Sequence, residues 1–129
     1  MTAPRPLSQT LARLTFCAAL VFAVVMACLP QPPSVPSDAL GDKANHIIAF
    51  AVLSALAAAG WPRAPRWQVI EHLSFLGALI EVVQAIPALQ RDCDIRDWIA
   101  DTLAIVVVTG LAALIARQRA GARGDGRAQ

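Results

Sequence analysis

The stretch Trp98–Ala116, WIADTLAIVVVTGLAALIA, carries no charged residue other than Asp101. A helix that crosses the hydrocarbon core of a bilayer needs about 20 mostly apolar residues, with a range of roughly 17–25. This stretch is therefore predicted to be a membrane-spanning helix. Three further stretches come close to the same length and carry few charged groups or none: Leu14–Leu29, Ala44–Trp61 and Trp67–Ile86. All four stretches are predicted to be helices.

The composition agrees with a membrane protein. Of the 129 residues, 57% are hydrophobic and 16% are charged, whereas soluble domains are roughly a quarter charged. The mean hydropathy is +0.55. These values argue against a disordered chain, and the net charge of +2 is too small for a nucleic-acid binder. The length allows one domain and is too short for a catalytic domain with a separate membrane anchor.

The connections between the four stretches are short and contain most of the prolines: Pro30, Pro32, Pro33, Pro36, Pro62, Pro65 and Pro87. Proline ends a helix because it lacks a backbone donor and clashes with the preceding turn. Helices this close in sequence pack antiparallel to their neighbours. The sequence therefore predicts an all-α fold, an up-down bundle of four transmembrane helices over residues 14–116. Residues 1–13 are predicted to be a cytoplasmic N-terminus, and residues 117–129 a disordered, basic cytoplasmic tail.

The distribution of Lys and Arg predicts the orientation. Eight Arg residues lie before the first helix, between the second and third, or after the fourth: Arg5, Arg13, Arg63, Arg66, Arg117, Arg119, Arg123 and Arg127. The other two connections hold Lys43, Arg91 and Arg96. Because basic residues are in excess on the cytoplasmic side, both termini are predicted to be cytoplasmic, in a bacterial inner membrane.

The first apolar stretch allows a second interpretation. A basic start, an apolar run and the pair Ala27-Cys28 resemble a secretory or lipoprotein signal, although Met26 stands where a small residue is usual. A retained membrane helix is the preferred interpretation. Cys17 and Cys28 are predicted to pack within this run, and Cys93 to be an unreactive loop thiol, with a reactive role as the alternative.

Most of the acidic residues gather at the predicted outer end of three helices. Three pairs of polar residues there are three or four residues apart, so that each pair shares a helix face: Asp42 and His46, Glu81 and Gln84, and Asp97 and Asp101. These faces are predicted to point inward, because a charge facing hydrocarbon costs at least ~2.5–3.5 kcal/mol near the helix centre. The predicted ligand-binding or catalytic residues are Asp42, Lys43, His46, Glu81, Gln84, Arg91, Asp97 and Asp101.

The same residues resemble the signature of the VanZ-like integral membrane proteins. The similar elements are Asp42-Lys43-x-x-His46-x-x-Ala49-Phe50, then Glu81-x-x-Gln84, then Arg91, Asp97 and Asp101. The resemblance covers about Asp42 to Thr109. It implies a role in the cell envelope. The chain departs from the family at Asp101, where Asn is usual, and at Ala104, where Gly is usual.

The first functional hypothesis is the binding of an anionic amphiphile or glycopeptide of the cell envelope. Lys43, Arg91 and Arg96, with help from His46, would hold a phosphate or carboxylate head group, since guanidinium groups bind such anions in a bidentate manner. The acidic residues would orient these cations or contact hydroxyl and amide groups of the ligand: Glu81, Asp97 and Asp101.

Three alternatives stay open at this point. An enzyme could use four of the same residues as acid, base or metal ligand, namely His46, Glu81, Asp97 and Asp101. An assembly protein could use the charges as an interhelical network that fixes the bundle. A transporter or proton channel would need oligomerisation, because four helices are few for a substrate path. No cofactor, resident metal or nucleic-acid partner is predicted. The lipid bilayer is the predicted surrounding of the chain, and the oligomeric state is left open.

Overall fold

The computed structural model of the chain describes residues 6–30, 32–34, 36, 39, 41–91 and 93–125. These residues form four α-helices: α1 (Leu7–Cys28), α2 (Asp42–Gly60), α3 (Arg66–Gln84) and α4 (Ile95–Asp125). One turn of 3-10 helix at Pro87–Leu89 stands between α3 and α4. The described ranges contain no β-strand. The predicted all-α, four-helix architecture is therefore confirmed.

Contacts between helix ends fix the direction of each helix. Three of them join side chains to neighbouring helices: Arg13 with Gly60, Gln84 with Ala27, and Lys43 with Asp97. The first places the beginning of α1 at the end of α2, so these helices are antiparallel. The second makes α3 parallel to α1, and the third makes α4 parallel to α2. Consecutive helices therefore run in opposite directions, as the short connections predict.

Particular residues and hydrogen bonds set the helix ends, which therefore differ from the ends predicted from the apolar pattern. α1 begins at Leu7, directly after Pro6, and so includes residues that the prediction placed before the first helix. α4 begins at Ile95 because Asp94 caps it: Oδ1 of Asp94 accepts a hydrogen bond from the backbone N–H of Arg96 at 2.9 Å. A side chain of this type satisfies one of the free N–H groups of the first turn.

Residues 117–125, part of the stretch predicted to be a disordered tail, continue α4 as a helix to Asp125. The reason is composition, because Ala, Arg and Gln favour helix strongly. Residues 126–129 lie outside the described part of the chain. With 31 residues at 1.5 Å each, α4 is about 46 Å long, longer than the roughly 30 Å hydrocarbon core of a bilayer.

The apolar core lies between α2, α3 and α4. Its buried members are Phe50, Leu53, Leu73, Ile80 and Ile105, joined by Ala27 of α1. Gly77 of α3 lets the helices come close, since a Cβ at this position would lie 3.4 Å from both Phe50 and Trp98. α1 packs against this core mainly with partly buried side chains and is the most peripheral helix.

Three of the described helices are long and apolar enough to cross a membrane: α1, α2 from Lys43, and α4 as far as Ala122, with mean hydropathies of 2.2, 1.4 and 2.3. Large apolar side chains are exposed along them, including Phe22, Val52 and Val107. Exposed apolar surface of this extent belongs in lipid. The chain is therefore a helical membrane protein. α3 is not among the three, so its crossing stays a prediction.

Candidate functional site

The centre of the candidate site is a buried pair between α2 and α4. Nδ1 of His46 lies 3.3 Å from Oδ2 of Asp101, and the two side chains are only 8% and 1% exposed. Both residues lie in the second turn of their helices. Because α2 and α4 are parallel, residues at equal depth meet side by side. The structure thus joins two of the predicted site residues.

One turn further out, a second pair joins the same two helices. The ammonium group of Lys43 contacts Oδ1 of Asp97, and Oδ2 of Asp94 lies 4.0 Å away. Lys43 is half-exposed, whereas Asp97 is mostly buried. Lys43 and His46 are three residues apart, and Asp97 and Asp101 four, so each helix presents both of its residues on one face. Two pairs one turn apart, each between a basic and an acidic side chain, therefore join the first two turns of α2 and α4.

Glu81 anchors the connection that leads into α4. Its Oε2 accepts a hydrogen bond from the backbone N–H of Asp94 at 3.0 Å, and its side chain is 6% exposed. The thiol of Cys93 also bonds to it. Desolvation, followed by this contact with Glu81, raises the pKa of the Cys93 thiol. Glu81 is thus buried and bonds both to the thiol of Cys93 and to the backbone N–H of Asp94. These contacts hold the connection between α3 and α4 on the bundle.

Two buried carboxylate oxygens near this centre have no hydrogen-bond partner among the described residues: Oδ1 of Asp101 and Oε1 of Glu81. Glu81 also interacts electrostatically with His46. Buried polar atoms in proteins are nearly always paired. The two acids and the imidazole therefore form one electrostatic cluster that can still accept hydrogen bonds.

Gln84 stands apart from this centre. Nε2 of Gln84 donates to the carbonyl oxygen of Ala27 at 3.0 Å, which satisfies one of the free carbonyl groups at the end of α1. Gln84 is fully buried, so its contact joins α3 to α1. Asp42 is the first residue of α2, and its side chain lies outside the described part of the structure.

A cleft of about 300 Å³ runs between α1, α2 and α3 and ends at this cluster. Its walls are almost entirely apolar, and three polar residues stand at one end: Asn45, His46 and Arg91. The apolar wall includes Phe22, Ala23 and Met26 of α1, and Ile48, Ala49 and Val52 of α2. The imidazole of His46 thus has the cleft on one side and Asp101 on the other.

Sequence reasoning missed the α1 wall of the cleft and Asn45. Asn45 could have been found, because it is a polar residue beside His46 in an otherwise apolar run. The α1 residues gave no signal, since side chains that face lipid and side chains that line an apolar cleft are of the same types. Among the described residues, no three His, Cys, Asp or Glu side chains are grouped to hold a metal ion.

Fold and site together define a helical membrane protein with a buried His–carboxylate cluster at the end of a lateral apolar cleft. No family model matches the chain, and neither a curated protein nor a solved structure matches it. The resemblance to the VanZ-like proteins accordingly rests on the motif residues themselves.

Proposed function

We propose that the chain is an integral membrane protein of the VanZ-like type that binds an anionic amphiphile of the bacterial cell envelope. The apolar chain of the ligand would lie in the cleft between α1 and α2, and its head group at the polar end. The observation that carries the proposal is the cleft itself, about 300 Å³ of apolar space that ends at His46 and Arg91.

The shape and lining of the cleft favour a molecule that is apolar along most of its length. Ligand sites have volumes of about 300–1,000 Å³ and combine apolar walls with a few polar groups that fix orientation. Phe22 and Val52, which line the cleft, are also among the exposed large apolar residues. Exposure on both α1 and α2 supports an opening toward the lipid, from which an acyl or prenyl chain would enter.

The polar end favours an anionic head group. Arg91 brings a guanidinium group, which suits phosphate or carboxylate oxygens in a bidentate manner, and His46 adds a ring that is positively charged when protonated. Arg91 and His46 line the cleft, whereas Lys43 contacts Asp97 and Asp94 outside its lining, so the head group is assigned to Arg91 and His46 in place of the broader predicted set.

The charge distribution supports an outward-facing site. Arg13, Arg63 and Arg66 belong to the opposite end of the bundle from Lys43 and Arg91, since the end of α2 meets the beginning of α1 there. The excess of basic residues at that end favours its placement in the cytoplasm, with both termini. The cleft then draws its ligand from the outer leaflet of the inner membrane.

A structural role is the second candidate, and the two ion pairs favour it. His46–Asp101 and Lys43–Asp97 both join α2 to α4, as an interhelical network would. Buried charge pairs can fix the register of helices. If this is their whole role, variants at the polar end of the cleft will change the folded yield and leave no separate loss of ligand binding.

The test compares two arginines of the same loop region in purified protein in nanodiscs. Arg91→Gln is expected to weaken binding of lysophosphatidylglycerol by about 10-fold or more, because a hydrogen bond to a charged group contributes roughly 1.5–3 kcal/mol. Arg96→Gln removes an equal charge from a residue that does not line the cleft and is expected to bind normally. Equal affinity of both variants and the unchanged protein would contradict the proposal.

A further inference from the structure

His46 occupies a position between the cleft and a buried acid. Its ring lines the polar end of the cleft, and Nδ1 faces Oδ2 of Asp101 at 3.3 Å. An anionic head group in the cleft would therefore place a second negative charge beside an imidazole that already has one carboxylate as a neighbour. This arrangement of anion, imidazole and carboxylate is most favourable when the imidazole is protonated.

The other charged groups around His46 come from three elements. They are Lys43 on α2, Asp97 and Asp101 on α4, Glu81 on α3, and Arg91 at the cleft. Asp42 is four residues before His46 on α2, but its side chain is outside the described structure. The apolar stretch 14–29 of α1 contributes no charge. Among these described side chains the acids outnumber the permanent cations, which favours a positive charge on His46 when an anion enters the cleft.

We infer that binding of an anionic amphiphile in the cleft is coupled to uptake of one proton by His46, with Asp101 as the positioning residue that orients the imidazole. This inference rests on the proposed function and adds its regulation. By linkage, a site that gains a proton with its ligand binds more tightly as the pH falls. Histidine is the side chain whose protonation changes between about pH 5 and 8.

The experiment measures calorimetric binding of lysophosphatidylglycerol to the full chain in neutral nanodiscs. The probe has one acyl chain and a phosphodiester that keeps its single negative charge throughout the range used. Monoacylglycerol, which has the same chain and no charge, is the second ligand. Each titration is run at several values between about pH 5 and about pH 8, and in two buffers of different ionisation enthalpy, so that proton uptake is counted directly.

The expected result is a rise of up to about 10-fold in the dissociation constant of lysophosphatidylglycerol per pH unit, with net uptake approaching one proton near the middle of the range. Monoacylglycerol is expected to show neither effect. The matched variants are His46→Gln, which is expected to abolish the pH dependence, and His72→Gln, which is expected to keep it. His72 is the second histidine of the chain and bonds to the carbonyl oxygen of Gln68 on the exposed side of α3.

The variant Asp101→Asn tests whether Asp101 acts by orienting the imidazole of His46 or only by filling space in the core. It keeps the shape of the side chain and removes its charge, and it is expected to bind lysophosphatidylglycerol more weakly at about pH 6 with reduced proton uptake. Binding of lysophosphatidylglycerol without pH dependence or proton uptake by the unchanged protein would overturn the inference and leave the proposed function standing. An absence of binding at every pH would overturn the proposed function itself. The measurement on the unchanged protein decides the matter even if a variant fails to fold.

Discussion

The two ends of the bundle are joined by different chemistry. The first two turns of α2 and α4 form the end that is proposed to face outward, here called the outer end, and they meet through side-chain charge pairs, of which His46–Asp101 is buried. At the inner end, α1 and α2 meet through a backbone carbonyl and aromatic rings. Nε of Arg13 donates to the carbonyl oxygen of Gly60 at 2.7 Å, its guanidinium group lies 4.9 Å from the ring centre of Trp61, and Phe16 contacts the same ring edge-on.

The difference between the two ends bears on the role of the charged residues at the outer end. The inner end shows that α1 and α2 can be held together without any buried acid. Buried charges in a membrane are costly, and removing one partner leaves the other uncompensated. The proposed head group in the cleft that reaches His46 would give the acids at the outer end a role beyond helix packing.

The largest effect is expected from removing the buried His46–Asp101 pair at the outer end. Asp101→Ala removes the carboxylate that accepts from the imidazole of His46 and is expected to lower the free energy of unfolding by about 2–4 kcal/mol, because it leaves a buried donor without a partner and a cavity beside it. Equilibrium unfolding in mixed micelles measures this loss. The double variant His46→Leu/Asp101→Leu is the control and is expected to recover most of the stability. A single variant as stable as the unchanged protein would show that the pair contributes little.

The next effect tests the close approach at the inner end. A Cβ on Gly60 would lie 3.0 Å from Cγ of Arg13, so Gly60→Ala is expected to destabilise the protein by about 1–3 kcal/mol through overpacking. Gly110 of α4 has open space around the position of a Cβ. Gly110→Ala is therefore expected to be neutral or stabilising by about 0.5–1 kcal/mol. The same unfolding assay compares the two, and a reversed order would contradict the described packing of α1 on α2.

The smallest expected effect concerns the loop at the outer end. Desolvation and the Glu81 carboxylate raise the pKa of the Cys93 thiol, so less thiolate is present at neutral pH. Labelling with a water-soluble maleimide is expected to be slower than for an ordinary thiol and to accelerate only at higher pH, since the thiolate is the nucleophile. Glu81→Gln removes the charge and is expected to increase the rate. A labelling rate that Glu81→Gln leaves unchanged would show that the Glu81 carboxylate does not act on the Cys93 thiol.

The fold could be predicted because the decisive pattern is local. Long apolar runs with few charged residues identified all four helices, and proline marked the connections after the first three. The helix ends were less accurate, because they depend on particular contacts such as the Asp94 cap of α4. In the tail, the Gly and Arg residues indicated disorder, whereas the Ala and Arg content favours the continuation of α4 to Asp125.

The site could be predicted only where residues share a helix face. Spacing placed Asp97 with Asp101 on one face of α4 and Asp42 with His46 on α2, and parallel α2 and α4 bring His46 to Asp101 and Lys43 to Asp97. The side chain of Asp42 lies outside the described part of the structure. Spacing could not show that Gln84 reaches Ala27, because that contact depends on the position of α1. The cleft was also missed, because the apolar side chains that form its wall are of the same types as those that face lipid.

The most direct test of amphiphile binding in the cleft is photo-cross-linking with mass spectrometry. A lysophosphatidylglycerol with a diazirine on its acyl chain is irradiated with the purified protein in nanodiscs, with and without an excess of unlabelled lysolipid. The account predicts competable adducts on cleft residues of α1 and α2, such as Phe22, Met26 and Val52. Adducts that are not displaced, and that extend equally over exposed α4 residues such as Val107 and Leu111, would contradict it.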